Sequence, residues 1–287
     1  MKIYYYAHTG HRFGLDRFRT AVSVIKSLPD LDITLLTSDY RIASYANHFG
    51  IRNSVGIDVL RNIPNIAEHG DILFYDSDEH TGQQLLDMID FFSKFVRISL
   101  DENDFPRKGE FVINPYLEDS ENSFGYLPVE TSYFGKFEKK IDTLLFFGDD
   151  DYDRDLIHYL RKFQKIRPDL LLGFYYFLGY EEGLKEFANR MFENEEYESV
   201  VKSSRNIITS SYQTALQSLV SGGKPIYIER TDRDSRPNRL LSSLGIPVLD
   251  EWNEDKILKK LNSPIEYRDY ENRNRKLAKA LLEFLGV

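Results

Sequence analysis

Three short stretches of this sequence hold residue types that do chemistry. The first is His8-Thr9-Gly10-His11-Arg12-Phe13-Gly14. Glycine lets a backbone approach a ligand closely, and an imidazole exchanges protons near neutral pH. His11, set between Gly10 and Gly14, reads equally as a proton acceptor and as a polar loop residue; His8 reads as the latter. The second stretch is Ser210-Ser211-Tyr212, small hydroxyl residues at a strand-to-helix junction. The free N–H groups of a helix start favour an anion such as phosphate. The third is the loop holding Arg230, Arg233 and Arg236. Guanidinium forks match phosphate oxygens, while Asp232 and Asp234 beside them balance any single one.

Two acidic clusters admit simpler readings. Asp76-Ser77-Asp78 follows an apolar run, and its D-x-D spacing resembles the metal-holding motif of the GT-A glycosyltransferases, since hard cations take oxygen ligands. A solvated strand end with a helix cap explains the same residues. Asp149-Asp150-Asp151 and Asp153 suit the N-terminus of the helix that follows. No metal site is expected. The chain has no cysteine, which excludes disulfides, thiolate zinc sites and thiol nucleophiles together.

These loops must be held by a folded scaffold, and the composition supplies one. With 287 residues, 41% hydrophobic and 29% charged, the chain is long enough for a large core in one or two domains. Acids exceed bases by 46 to 37, a net charge of -9. Such a balance is repelled by nucleic-acid backbone and anionic membrane, so neither is an expected partner. The longest apolar run, Leu170 to Tyr180, is too short to span a bilayer. Met1–Ala7 lacks the core of a signal peptide. A soluble cytoplasmic protein is expected.

Strand-like and helix-like segments alternate. Strands are read at Lys2–Ala7, Ile33–Thr37, Val55–Leu60, Ile72–Tyr75, Phe95–Leu100 and Phe111–Asn114, with helices at Leu15–Leu28, from a Ser38 cap to Gly50, and at Thr81–Phe92. Glu118–Lys140 breaks the rhythm and reads as a linker. A second series follows: strands at Thr143–Phe147, Leu170–Phe174, Asn206–Thr209, Ile226–Glu229 and Val248-Leu249, and helices at Asp153–Phe163, Glu181–Phe192, Ser211–Ser221, Pro237–Leu244 and about Tyr267–Phe284. This alternation predicts two open parallel α/β sheets, and ligands in such sheets bind beyond the carboxyl ends of the strands.

The stretch from Ser210 to Gly245 carries a resemblance. Ser210-Ser211-Tyr212, Gly222-Gly223-Lys224-Pro225, Asn238 and Gly245 resemble the small-residue turn, Gly-Lys-Pro step and Asn-containing last helix of the donor-binding half of GT-B nucleotide-sugar enzymes. Gln217 stands where that family carries a ribose-binding Glu. The layout is most similar to the UDP-sugar hydrolases of the pseudaminic acid pathway, and the motifs are shared by MurG-like glycosyltransferases. Phe146-Phe147-Gly148 resembles the turn opening their second domain, and Gly10-His11 resembles the Gly-His pair that supplies their base. The resemblance implies an α/β fold of GT-B type, with two Rossmann-like domains facing each other across a cleft. Residues 1–138 would form the acceptor and base side, and 139–287, with the long C-terminal helix, the nucleotide-sugar side. It implies a metal-independent glycosyltransferase with His11 as base. Gly10, Gly148, Ser210, Ser211, Tyr212, Gln217, Arg230 and Asn238 would hold the nucleotide diphosphate. No cofactor is implied: the nucleotide sugar, UDP-linked, is the substrate, and the partner is a small acceptor. With water as acceptor the same site is a UDP-sugar hydrolase releasing a free sugar. A non-catalytic sugar-nucleotide-binding or partner protein is the remaining reading.

Overall fold

The computed structural model describes residues 1–57, 59–176, 179–263 and 270–287. It divides into two compact units. One contains Met1–Gly10, Arg17–Thr131 and Asn272–Val287; the other contains His11–Asp16 and Ser132–Glu271.

The first unit is built on β1 (Ile3–Ala7), β2 (Ile33–Thr37), β3 (Asn53–Gly56), β4 (Ile72–Asp76), β5 (Lys94–Ile98), β6 (Glu110–Ile113) and β7 (Ser123–Phe124). These strands pair in parallel in the order β3-β2-β1-β4-β5-β6-β7. β1 and β4 are buried along their whole length, which their near-continuous apolar sequence requires of strands covered on both faces. Helices α1 (Asp16–Ser27), α2 (Tyr40–Tyr45) and α3 (Gly82–Phe91) follow β1, β2 and β4. Leu85 and Ile89 of α3 pack with Tyr6, Leu36, Leu73, Tyr75 and Phe95 of the sheet. The buried Arg97 of β5 is tolerated because its guanidinium forks onto the Glu110 carboxylate at 2.8 and 2.9 Å, and it also pairs with Asp104. A reciprocal capping box starts α3: Thr81 accepts from the Gln84 N–H, and the Gln84 side chain accepts from the Thr81 N–H at 2.9 Å. Replacing Thr81 with Ala leaves an orphan N–H. The expected loss is about 1 kcal/mol, read as a lower urea midpoint at unchanged slope.

The second unit is built on β8 (Ile141–Phe146), β9 (Asp169–Leu171), β10 (Met191–Phe192), β11 (Ser204–Thr209), β12 (Lys224–Ile228) and β13 (Val248–Leu249). They also pair in parallel, in the order β10-β9-β8-β11-β12-β13. Its helices are α4 (Asp155–Leu160), α5 (Tyr180–Leu184), α6 (Tyr197–Ser203), α7 (Tyr212–Val220), α8 (Arg236–Ser243) and α9 (Glu254–Leu261). Leu145, Leu170, Ile208, Ile226 and Ile228 from the sheet meet Leu156, Leu160, Leu184 and Ile257 from the helices. Among the described residues no helix is long and apolar enough to cross a membrane.

Several elements depart from the sequence reading. The boundary lies at 131/132 rather than 138/139, because part of the expected linker carries β7 and belongs to the first unit. The last helix, Asn274–Leu285, also belongs to the first unit. Asn274 donates to the Val129 carbonyl at 2.7 Å, and Phe284 packs on Phe111 with ring centroids 5.3 Å apart. Tyr267, where that helix was expected to begin, lies outside the described residues. The third strand forms at Asn53–Gly56, earlier than expected; Asp58, in the expected span, is likewise outside them. The helix expected over Glu181–Phe192 ends at Leu184, and Met191–Phe192 pairs as an edge strand. Asp39, rather than Ser38, caps α2. The Ser38 hydroxyl instead takes the Thr9 N–H at 3.1 Å and donates to the Thr9 carbonyl at 2.6 Å, pinning the loop after β1.

Candidate functional site

Each sheet has a point where the strand order reverses, and in open parallel sheets ligands bind beyond the carboxyl ends of the strands flanking such a point. In the second unit it lies between β8 and β11. Thr209 pairs with Phe146, so the next residues along each strand, Gly148 and Ser210-Ser211, come out together. Gly148 has φ +145, a conformation that favours glycine. Gly173, after β9, must also lack a side chain: a Cβ there would sit 2.3 Å from the Gly148 carbonyl oxygen. The two glycines bring the loops after β8 and β9 into contact.

Ser211 opens α7 as its N-cap, accepting from the Thr214 N–H at 3.1 Å. The Thr209 hydroxyl accepts from the Ser211 N–H at 3.0 Å, and the Ser210 hydroxyl donates to the Ile228 carbonyl at 2.6 Å. Asp16 brings a carboxylate to this helix start. One oxygen accepts from the Tyr212 N–H at 3.1 Å and the other from the Ser211 hydroxyl. An oxyanion therefore already sits where the sequence placed a phosphate.

The arginines are more deeply engaged than a solvated loop implies. Arg230 is 8% exposed. Its fork closes on Asp232 at 2.9 and 2.7 Å, its third nitrogen donates to the Asp150 carbonyl at 2.9 Å, and its guanidinium lies 4.4 Å over the Phe147 ring. Arg233 pairs with Asp150 and donates to the Arg12 carbonyl, and Arg236 pairs with Asp234. Burial demands a partner for the Arg230 charge, and Asp232, two residues away, supplies one. Asp151 does what the cap reading required, accepting from the Asp155 and Leu156 N–H groups at 2.8 and 3.0 Å.

Gln217 is 2% exposed, and its side-chain carbonyl accepts from the Tyr197 hydroxyl at 2.6 Å. Asn238, near the start of α8, keeps a buried Oδ1 with no hydrogen-bond partner among the described residues. Gly10 counts with the first unit and His11 with the second. The His11 ring is exposed, 5.6 Å from the Tyr152 ring and 6.5 Å from that of Tyr175. The Arg12 guanidinium lies 4.4 Å over Tyr152.

The reversal point of the first unit, between β1 and β4, also gathers titratable groups. Ala7 pairs with Asp76, which is 5% exposed rather than solvated. The Tyr5 hydroxyl donates to the Asp76 carboxylate at 3.5 Å, and Arg17 Nε lies 3.8 Å from it. Burial pushes the Asp76 carboxyl up to about 7, with Arg17 opposing and Asp78 adding to the rise. Arg17 also pairs with Asp78, so a guanidinium stands where a D-x-D motif would hold a cation. His8 Nδ1 lies 3.6 Å from Glu79, which also accepts from the hydroxyls of Ser77, at 2.9 Å, and Tyr6. Burial holds the His8 imidazole below its usual range. The D-S-D-E-H spelling reads as a wet strand end, and the tertiary signal missing from it is Arg17, brought in from α1.

No family model matches the sequence, and no curated protein does. Solved structures match over essentially the whole length. UDP-GlcNAc 2-epimerase of Methanocaldococcus jannaschii, in complex with UDP-GlcNAc and UDP, superposes with a TM-score of 0.59 at 12% identity, covering 98% of this chain and 99% of that one. Anabaena HepE, in complex with UDP-glucose, gives 0.57 at 10% identity over 100% and 98%. Acinetobacter baumannii MurG gives 0.54 at 11% identity over 99% and 94%. The expected likeness to the GT-B superfamily holds at the level of fold: this chain has two Rossmann-like units with parallel sheets of seven and six described strands, as in the GT-B class.

Proposed function

We propose that this protein is an enzyme of nucleotide-sugar chemistry. It binds a UDP-linked sugar at the reversal point of the second unit and transfers the sugar to a small acceptor without a metal ion. The observation that carries this reading is the two-point capture of a carboxylate by the Ser211 hydroxyl and the Tyr212 N–H: a seat that holds one oxyanion is chemically suited to another. The unpartnered Asn238 Oδ1 supports it with an acceptor for a sugar or ribose hydroxyl. Structures of this fold with UDP-GlcNAc and UDP-glucose bound supply the nucleotide.

In the transfer, the bond from the sugar's anomeric carbon to phosphate oxygen breaks, and a bond to the acceptor oxygen forms. His11 takes the acceptor's proton. The departing diphosphate carries the negative charge, which the dipole of α7 stabilises. With water as acceptor the same steps release free sugar, and an assay of the product separates the two.

Thermal shift with uridine, guanosine, cytidine and thymidine diphosphates tests the reading. A ligand bound only by the native state stabilises it by about 2.7 kcal/mol at a hundredfold excess over Kd. UDP is expected to give the largest rise in melting temperature. No rise with any of the four overturns nucleotide binding.

A further inference from the structure

We infer that Asp16 is an internal competitor for the diphosphate seat: its carboxylate occupies the start of α7 in the empty protein and must withdraw before a nucleoside diphosphate is held there. The inference rests on the nucleotide reading above and adds a control step to it.

Three N–H groups at this helix start have acceptors from the chain itself. Two are local, Ser211 to Thr209 and Thr214 to Ser211. The third, Tyr212, reaches a residue 196 positions away in sequence, Asp16. Asp16 uses both oxygens, one on the N–H and one on the Ser211 hydroxyl, the two-point pattern that two phosphate oxygens would adopt. A phosphate on the same donors would lie against a carboxylate in a partly buried setting, where like charges repel strongly. The two cannot share the seat.

The cations nearby are engaged in the same way. Arg230 has Asp232, and Arg233 has Asp150, so no spare positive charge on these two side chains offsets both anions. Of the two carboxylates on the helix start and on Arg233, Asp16 is the less buried. Asp150 is 3% exposed, and Asp232 is two residues from its arginine. Asp16 is half-buried and ends the His11–Asp16 segment. Gly14 within that segment has φ +74, and Gly10 precedes it, so glycines flank the turn that would move. The same segment carries His11, so arrival of the nucleotide and repositioning of the proposed proton acceptor become one event.

Titration calorimetry with UDP on the wild type, Asp16→Asn and Asp16→Ala tests this. Asn keeps an acceptor for the Tyr212 N–H and guards against loss of the helix start. If the seat is nine-tenths occupied by Asp16, freeing it in Asp16→Ala tightens UDP by about tenfold; Asp16→Asn, which removes the charge and keeps the acceptor, is expected to gain less. Equal or weaker binding in the variants, with the wild type binding UDP, overturns the competition while leaving the nucleotide reading intact. A lower melting temperature in Asp16→Ala without a gain in affinity identifies a plain helix cap and overturns it too. If neither the wild type nor the variants bind any of the four nucleoside diphosphates, the nucleotide reading falls and the competition with it.

Discussion

Asp76→Asn is expected to stabilise the protein at pH 8 and to change its stability little at pH 4. Asp76 is buried, and its carboxyl is pushed from 3.8 to about 7, chiefly by loss of water. The sign follows from proton binding. Between about pH 4 and pH 7 the unfolded chain has released this proton while the folded chain still holds it, so stability falls as pH rises through that window and is level above it. A displacement of three pH units corresponds to about 4 kcal/mol, a net figure that already includes the opposing attraction of Arg17, 3.8 Å away. Arg17 keeps Asp78 as a partner, and Asn is able to accept the bond from Tyr5. Urea midpoints of both proteins at pH 4, 6 and 8 measure the difference, which is expected to widen with pH. A variant no more stable than wild type at pH 8 contradicts the assignment. A residue that lowers stability at working pH, at the reversal point of a sheet, has the profile of a group retained for function.

The strands that carry the two sites were legible in the sequence for a definite reason. Ile72–Tyr75 and Ile3–Ala7 are apolar on both faces, and only burial between two helical layers accommodates that. The Ser211 cap was legible because the signal is local: a hydroxyl three residues before the N–H it accepts. What was not legible depends on residues distant in sequence. Periodicity gives the apolar face of Asn274–Leu285 but not the surface that receives it, and that surface lies in the first unit, through Phe111 and Val129. Two-residue strands such as Ser123–Phe124 and Met191–Phe192 are too short for an alternation to register. Arg230 stands in a charged loop that reads as solvated, yet the Phe147 ring and the Asp150 carbonyl remove it from water. Asp16 reads as an ordinary acidic residue in the first turn of a helix, favourable to that helix's own dipole. Its reach to Tyr212 is a tertiary fact with no local trace. The loops after β1, β8 and β11 were legible as loops between strand and helix. The charges that already fill those places were not.

The largest expected effect on activity belongs to His11. In the proposed transfer its imidazole removes the acceptor proton as the new bond forms, and a positioned base of this kind contributes about a hundred- to ten-thousandfold to rate. His11→Ala is therefore expected to lower kcat by that factor. The ring is exposed, and its aromatic neighbours are the Tyr152 and Tyr175 rings, so truncation is expected to change stability by less than about 0.5 kcal/mol. UDP affinity should also persist, since the seat at Ser211 and Tyr212 is untouched. Steady-state turnover beside a UDP titration of the same preparation separates the two. A variant that binds UDP and has lost turnover supports His11 as the base. Unchanged turnover overturns the assignment of His11 as the base.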